Sequence, residues 1–181
     1  MADKVIIVPY DPQWPQLFSQ LGTALRTALG ETARRIDHIG STAIPGLDAK
    51  PIIDIQVSVT AFDPLEVYRR PLEGLGYTFR AENPERTKRY FREAPGQRRT
   101  HIHVRRWGSW AEQFGLLFRD YLRVHPDDAK RYAALKYSLA EKYGEDRYSY
   151  TEAKAPFIWE IMNKADQWSQ EIGWEPDASD A

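Results

Sequence analysis

A chain of 181 residues with 42% apolar residues and a net charge of -1 is long enough for one globular domain and is typical of soluble proteins. No apolar run approaches the ~20 residues that a membrane helix needs, no signal pattern begins the chain, and the absence of cysteine excludes disulfides and thiolate chemistry. We therefore expect a cytoplasmic protein without membrane contacts, with a single domain over residues 1–172 and an acidic, flexible tail over residues 173–181.

The N-terminal part of the chain predicts a strand, a helix and a second strand. Residues 5–8 are apolar and suit a short strand. Asp11-Pro12 supplies a cap and a first-turn proline, and apolar residues then recur at helical spacing until Gly30. A second strand is expected around Arg35 to Ile39.

A Gly-rich turn and a strand with an exceptional carboxylate follow. The turn is Gly40-Ser41-Thr42, and Pro45-Gly46 limits any helix before Lys50 to one turn. The next strand, residues 52–59, is apolar except at Asp54, Gln56 and Ser58. Because side chains alternate across a sheet, Asp54 is expected to point away from the core.

The middle of the chain predicts a short helix over residues 65–74 and a strand over residues 77–80. Residues 89–92 and 100–106 then suit two antiparallel strands joined by the turn Ala94-Pro-Gly-Gln. This segment is also basic: from Arg86 to Arg106, eight Lys or Arg residues stand against one acid. Such an excess can attract a triphosphate or a nucleic acid, or it can simply keep edge strands soluble.

The C-terminal part predicts helices. Ser109 can cap the first, Pro126 to Tyr143 forms the second with Gly144 at its end, and Thr151 opens a last helix that reaches about Ile172.

Several of these segments resemble a known family. Gly40-Ser41 followed by Asp54-Ile-Gln-Val resembles the nucleotidyltransferase superfamily signature, in which a Gly-Ser turn precedes a strand carrying Asp-apolar-Asp/Glu. More closely, His38 to Leu47 with Lys50 to Asp54 is similar to the GrpB family, a branch of that superfamily. Three later segments also fit, so that the resemblance covers roughly residues 4 to 165: Thr100 to Val104, Phe118 to Leu122 and Leu135-Lys136.

The resemblance implies an α+β (α/β-like) fold, with a small mixed sheet of five or six strands flanked by helices and a helical C-terminal part. It also implies a nucleotide ligand and the transfer of a nucleoside monophosphate from a triphosphate to an unknown acceptor, with Asp54 as the catalytic carboxylate. The implied phosphate-binding or nucleotide-binding residues are Gly40, Ser41, Thr42, Lys50, Arg119 and Lys136. Further cleft candidates are Gln56, His38, Arg105, Asp120, Tyr150 and Lys154.

A divalent metal ion would belong to this chemistry, and the candidates are magnesium, manganese and zinc. Gln56 stands where the signature has its second carboxylate, so the motif offers one acidic ligand only. His101 and His103 lie on the same strand face as Asp54 if Ile102 and Val104 face the core, and two imidazoles would shift the preference toward manganese or zinc. The same histidines equally suit structural hydrogen bonds or phosphate contacts.

Two other functions are consistent with the sequence. GrpB-like domains also occur fused to dephospho-CoA kinases, which favours a non-catalytic accessory domain as the alternative, and Gln56 suits a site that binds without catalysing. Whether the chain is an enzyme therefore stays open at this point. RNA binding by the basic hairpin is the weaker alternative, because its aromatic residues are few and the rest of the chain is not basic.

Overall fold

The computed structural model describes residues 4–181. Its strands are β1 (Arg35–Ile39), β2 (Ile53–Val59), β3 (Tyr77–Phe79), β4 (Lys88–Glu93) and β5 (Thr100–Arg106). They form one sheet in the order β1-β2-β5-β4-β3, in which β2 and β5 run parallel and all other neighbours run antiparallel. The predicted small mixed sheet is confirmed, with five strands.

Six helices surround the sheet: α1 (Trp14–Leu29), α2 (Glu66–Gly74), α3 (Trp110–Val124), α4 (Pro126–Tyr143), α5 (Arg147–Glu152) and α6 (Ala155–Ile172). The predicted helical C-terminal part is therefore confirmed. Ser109 caps α3 as expected, because its hydroxyl accepts a hydrogen bond from the Glu112 N–H group. Within residues 4–181, no helix combines the length and the apolar character needed to cross a membrane.

The two faces of the sheet have different roles. Ile55 and Val57 of β2 and Ile102 and Val104 of β5 are fully buried in a core that includes residues of α1 and α2. A second core joins α3, α4 and α6 with Ile44 and Leu47, residues of the segment between β1 and β2. The residues that alternate with the apolar ones on β2 and β5 therefore lie on the opposite face of the sheet.

Some boundaries differ from the sequence-based expectation. Residues 5–8 do not form a strand, and only Val8 pairs, through a bridge to Ala49. Helix α1 begins at Trp14, and Asp11 instead accepts a hydrogen bond from the N–H group of Gln13. The last predicted helix is divided, since α5 ends at Glu152 and α6 begins at Ala155 with a proline in its first turn.

The C-terminal residues lie against β1. The Ile36 N–H group donates to the Ser179 hydroxyl at 2.8 Å, and the His38 N–H group donates to Asp180 Oδ2 at 2.9 Å. These contacts place Ser179 and Asp180 along the outer edge of the sheet, while the flexibility of residues 173–181 stays a prediction.

Candidate functional site

Asp54 and two histidines meet where β2 and β5 run side by side. The parallel register sets Asp54 opposite His101 and Gln56 opposite His103, so all four residues share one face. His101 Nδ1 and His103 Nε2 each lie 3.2 Å from Asp54 Oδ1. Burial opposes ionisation of Asp54, but its hydrogen bonds with the two histidines hold the pKa of the carboxyl well below its usual range. The predicted grouping of these three residues is therefore present.

Gly40 brings the preceding turn against the same carboxylate. Its φ angle is +72°, a backbone conformation that residues with a Cβ rarely adopt. A Cβ atom at this position would lie 2.8 Å from Asp54 Oδ2. Glycine thus permits both the turn and its close approach to Asp54. The turn continues as a single 3₁₀ turn over Ser41–Ala43, so the expectation of at most one helical turn before Lys50 is confirmed.

The triad opens into a polar cavity of about 430 Å³ between the sheet and helices α4 and α5. Among the residues lining it, Asp54 is the single acid, whereas five are basic: Lys50, Lys88, Lys136, Arg147 and Lys154. Lys88 is paired with Glu85 at 2.8 Å, and Lys136 Nζ donates to the Asp48 carbonyl. Basic side chains therefore outnumber acidic ones in the lining of the cavity.

Three of these lysines share a crowded environment. Burial and the neighbouring charge of Lys154 lower the pKa of Lys50 to about 8 and that of Lys136 to about 7. Burial also lowers the pKa of Lys154 itself, with Arg147 contributing. Repulsion among cations and their partial dehydration both disfavour the charged forms. A bound polyanion would relieve the repulsion, so this arrangement suits phosphate groups.

Two tyrosines complete the wall beside the lysines. Lys50 Nζ and Lys154 Nζ lie 5.2 and 4.9 Å from the centre of the Tyr150 ring. Tyr150 is fully buried, and its hydroxyl has no hydrogen-bond partner among the described residues. Lys136 Nζ lies 4.6 Å from the centre of the Tyr132 ring, and burial raises the pKa of the Tyr132 hydroxyl. Both rings therefore pack against the lysines and are themselves buried.

The donor set at the triad fits a divalent transition metal. One carboxylate oxygen and two imidazole nitrogens lie within 4.8 Å of one another. For metal–ligand bonds of about 2.1 Å, neighbouring ligand atoms are about 3.0 Å apart in octahedral sites and about 3.4 Å apart in tetrahedral sites. The two distances from Asp54 Oδ1 to the histidine nitrogens, 3.2 Å each, lie between these values. Imidazole suits zinc or iron better than magnesium, which prefers oxygen ligands.

Among the other predicted residues, Ser41, Thr42, Lys50, Lys136, Tyr150 and Lys154 line the cavity together with Gly40. Thr42 does so with its hydroxyl engaged, because it donates to the Ile52 carbonyl at 3.2 Å and contacts His38 Nε2.

Gln56 lies on the triad's face of β2 but outside the cavity lining. It is fully buried where α3 packs on the sheet, and its Nε2 donates to the Glu112 carbonyl at 3.2 Å. In this position the Gln56 amide nitrogen is engaged with α3, whereas its Oε1 is buried and has no hydrogen-bond partner among the described residues.

Four further candidates also lie outside the lining. His38 is on the α1 face of β1, where it stacks on Phe18 at 4.8 Å, and burial lowers its pKa to about 4. The Arg119 guanidinium is buried and donates to the His38 carbonyl, Asp120 and Asp180. Arg105 pairs with Glu85 near the end of β5. The structure gives these side chains packing and ion-pair contacts.

Sequence reasoning missed several residues that line the cavity: Asn83, Tyr90, Tyr132, Arg147 and Thr151. Lys88, which also lines it, belongs to the basic segment noted in the sequence. Tyr90 could have been found, because hairpin register pairs it with His103 and places it on the same face. Tyr132 and Arg147 carry no such local signal. They reach the cavity only because α4 and α5 fold over this end of the sheet.

Comparisons with known proteins agree with this architecture. A model of the family described as GrpB protein matches residues 4–164. The UPF0157 protein PA4798 of Pseudomonas aeruginosa is 45% identical over 90% of this chain and 68% of its own length. The dephospho-CoA kinase of Mycolicibacterium paratuberculosis is 32% identical over 95% of this chain, which spans 48% of that enzyme.

Solved structures show the same relationship. The crystal structure of GrpB from Enterococcus faecalis superposes with a TM-score of 0.82 and 34% identity, covering 90% of this chain and 99% of that one. The Cid1 poly(U) polymerase bound to MgATP superposes with a TM-score of 0.51 and 10% identity over 77% of this chain and 44% of the polymerase. The predicted nucleotidyltransferase-like fold is confirmed.

Proposed function

Because the chain belongs to the GrpB family, which has a nucleotidyltransferase-like fold, we propose that it binds a nucleoside triphosphate with a divalent metal ion and transfers the nucleoside monophosphate to an acceptor. One observation carries the proposal. The triad of Asp54, His101 and His103 opens into a cavity whose other charged lining residues are all basic. A metal ion would neutralise the negative charge of Asp54 at the triad. A polyphosphate between the triad and the lysines would neutralise the positive charge of the lysines.

The lysines are the proposed contacts of the phosphates. Lys50 and Lys154 come from different parts of the chain and converge on one tyrosine ring. Among residues 4–181, neither ammonium group has a carboxylate within 4.0 Å. Hydrogen bonds between ammonium groups and phosphate oxygens are among the stronger polar contacts, so a triphosphate is a better occupant than a neutral ligand.

The proposed reaction is a displacement at the α-phosphorus. An acceptor oxygen forms a bond to that phosphorus, the bond between it and the oxygen leading to the β-phosphate breaks, and pyrophosphate leaves while the acceptor's proton passes to solvent. Asp54, His101 and His103 would hold the metal ion in place. Lys50, Lys136 and Lys154 stabilise the negative charge that develops on the leaving pyrophosphate. A divalent ion at the triad would polarise the phosphoryl oxygens and help to orient the acceptor.

A second candidate is nucleotide binding without transfer. It is favoured by the position of Gln56, which is buried against α3 and leaves one carboxylate at the triad. This chain is similar to about half of a dephospho-CoA kinase, which supports a role as a non-catalytic accessory domain that binds nucleotide without transferring it. In both candidates the nucleotide occupies the same cavity, and they differ only in turnover.

The first experiment measures thermal stabilisation by each ribonucleoside triphosphate with magnesium, manganese or zinc. The Cid1 structure of similar fold holds MgATP, which makes ATP the first nucleotide to test. At a hundred times its dissociation constant a ligand adds about 2.7 kcal/mol, or several degrees in melting temperature. We expect a metal-dependent shift that is lost in Asp54→Asn.

The matched control is Asp166→Asn, which makes the same change at an exposed position of α6 and should keep the full shift. Absence of a shift with every nucleotide and metal in the native chain would contradict nucleotide binding. Where binding is found, release of pyrophosphate in the presence of hydroxyl-bearing acceptors separates transfer from accessory binding.

A further inference from the structure

A second cavity adjoins the one that holds the triad. Its volume is about 240 Å³, and it shares Asn83, Tyr90 and Arg147 with the first. Arg80 and Arg92 complete its basic lining. We call this cavity the arginine furrow. Because Tyr90 and Arg147 line both spaces, a molecule in the furrow can reach the first cavity without crossing the sheet.

The furrow has unused hydrogen-bond donors. Among the described residues, Arg92 pairs only with Glu93, through Nη2, so a ligand would meet the terminal nitrogens of Arg92, while its unpartnered Nε is buried. Within residues 4–181, no carboxylate lies within 4.0 Å of the Arg147 guanidinium. The one acid in the lining, Glu82, is already paired with Arg80 at 2.6 Å. The furrow therefore has a net positive charge and two guanidinium groups with free capacity.

The furrow is also close to the proposed chemistry. The Tyr90 ring separates it from the triad, and the ring centre lies 5.3 Å from that of His103 and 5.5 Å from that of His101. A group bound between Arg92 and Arg147 would thus be about one aromatic ring away from the metal ligands. This distance suits a second substrate better than a remote regulatory ligand.

We propose that the arginine furrow binds a phosphate group of the acceptor, so that the acceptor is a phosphate-bearing molecule. Guanidinium groups bind phosphate in a forked, bidentate geometry, and the same charges repel a cationic acceptor such as a polyamine. This inference rests on the proposed nucleotidyl transfer. The acceptor hydroxyl would attack the α-phosphorus as described above, while its own phosphate stays bound to Arg92 and Arg147 and takes no part in bond making.

The test measures binding of two probes by calorimetry, with the nucleotide cavity filled by a non-hydrolysable triphosphate analogue. Ribose 5-phosphate represents a small phosphomonoester, and a five-nucleotide single-stranded oligouridylate represents the end of an RNA chain. We expect at least one probe to bind ten times more tightly than ribose. A steep salt dependence for the oligonucleotide, with no binding of the sugar phosphate, would identify RNA as the source of the phosphate.

Variants assign the binding to the furrow. Arg92→Gln and Arg147→Gln should each weaken the probe about tenfold or more, since each removes a charge-assisted contact. Arg80→Gln changes an exposed arginine of the same furrow and should weaken probe binding less than Arg92→Gln or Arg147→Gln. Arg70→Gln, a largely exposed arginine paired with Glu66 on α2, is the matched control and should bind like the native chain.

Two results would overturn the inference: probes that bind no more tightly than ribose, or probe affinities that are unchanged in both Arg92→Gln and Arg147→Gln. Affinity for the triphosphate analogue is measured separately and should not change in Arg92→Gln, because Arg92 does not line the first cavity. Failure of the native chain to bind the analogue would count against the proposed function instead, and the probes would then be titrated without it.

Discussion

The lysines of the cavity are the side chains whose protonation should respond most to a ligand. Lys50 and Lys136, with pKa values of about 8 and 7, are partly deprotonated above neutral pH. A bound triphosphate would raise both pKa values toward the usual 10.5. The bound state then holds more protons than the free state, so affinity should decrease as pH rises from 7 to 9.

Calorimetry at pH 8.5 in two buffers with different ionisation enthalpies measures this proton uptake directly. The phosphates themselves are fully ionised at that pH, so the uptake reports the protein. We expect the binding enthalpy to depend on the buffer in the native chain and to depend on it less in Lys136→Met. A binding enthalpy that is the same in both buffers would exclude the lysines as phosphate contacts.

Gln56 allows a test of whether the missing second carboxylate could be restored. In Gln56→Glu, a buried carboxylate would face the Glu112 carbonyl, to which the Gln56 amide now donates. Burying an unpaired charge is costly, so we expect a loss of about 3 kcal/mol at pH 8. The loss should be smaller at pH 5, since burial raises the pKa of the new carboxyl and the folded state then binds the proton.

Urea unfolding at the two pH values measures the Gln56→Glu effect. Gln56→Met, which removes the same hydrogen bond without adding charge, is the control and should cost about 1 kcal/mol. We expect no gain in magnesium-dependent nucleotide binding. Such a gain would show that residue 56 can reach the triad after all.

At the scale of elements, the turn before β2 determines where the Asp54 carboxylate lies. In Gly40→Ala, the new Cβ would be strained at a φ of +72° and would lie 2.8 Å from Asp54 Oδ2. We expect a loss of about 2 kcal/mol in stability from the backbone conformation. Displacement of Asp54 should in addition weaken metal-dependent nucleotide binding at least tenfold.

Gly46→Ala separates the two effects of the Gly40 substitution. Gly46 has a φ of +75°, but a Cβ there would meet nothing within 4 Å. Gly46→Ala should therefore lose about as much stability in urea as Gly40→Ala while keeping the native affinity for nucleotide. If both variants kept the native affinity, the contact between the turn and Asp54 would not matter for binding.

The sequence was most informative where local rules control side-chain direction. Alternation along β2 and β5 predicts that Asp54 and the two histidines share a face, and Pro45-Gly46 predicts the short turn. It was least informative where long-range packing decides. Nothing local places Arg147 or Tyr132 beside the triad. The family resemblance of Phe118 to Leu122 suggested a phosphate contact at Arg119, which is buried among protein partners.

At the scale of the whole molecule, Arg119 connects the sheet with the helical part. It extends from α3 and donates to the His38 carbonyl of β1 at 3.1 Å and to Asp180 of the C-terminal residues at 2.9 Å, while Asp120 accepts from its Nε at 2.7 Å. With its side chain about 1% exposed, it has almost no contact with solvent. These contacts favour a role of Arg119 in stability, whereas phosphate binding by Arg119 stays a prediction.

Arg119→Met keeps most of the apolar stem and removes the charge. The His38 carbonyl would lose the Arg119 donor in a buried setting, and Asp120 would lose its shortest ion pair while keeping Trp174 and Arg123 as partners. We therefore expect a loss of about 3 kcal/mol in urea unfolding. Arg131→Met removes a half-exposed arginine paired with Asp128 and Glu160 and should cost much less stability than Arg119→Met. Below the unfolding transition, Arg119→Met should bind the triphosphate within twofold of the native affinity, because its side chain does not line the cavity. A tenfold loss of affinity with little loss of stability would instead return Arg119 to the phosphate-binding residues.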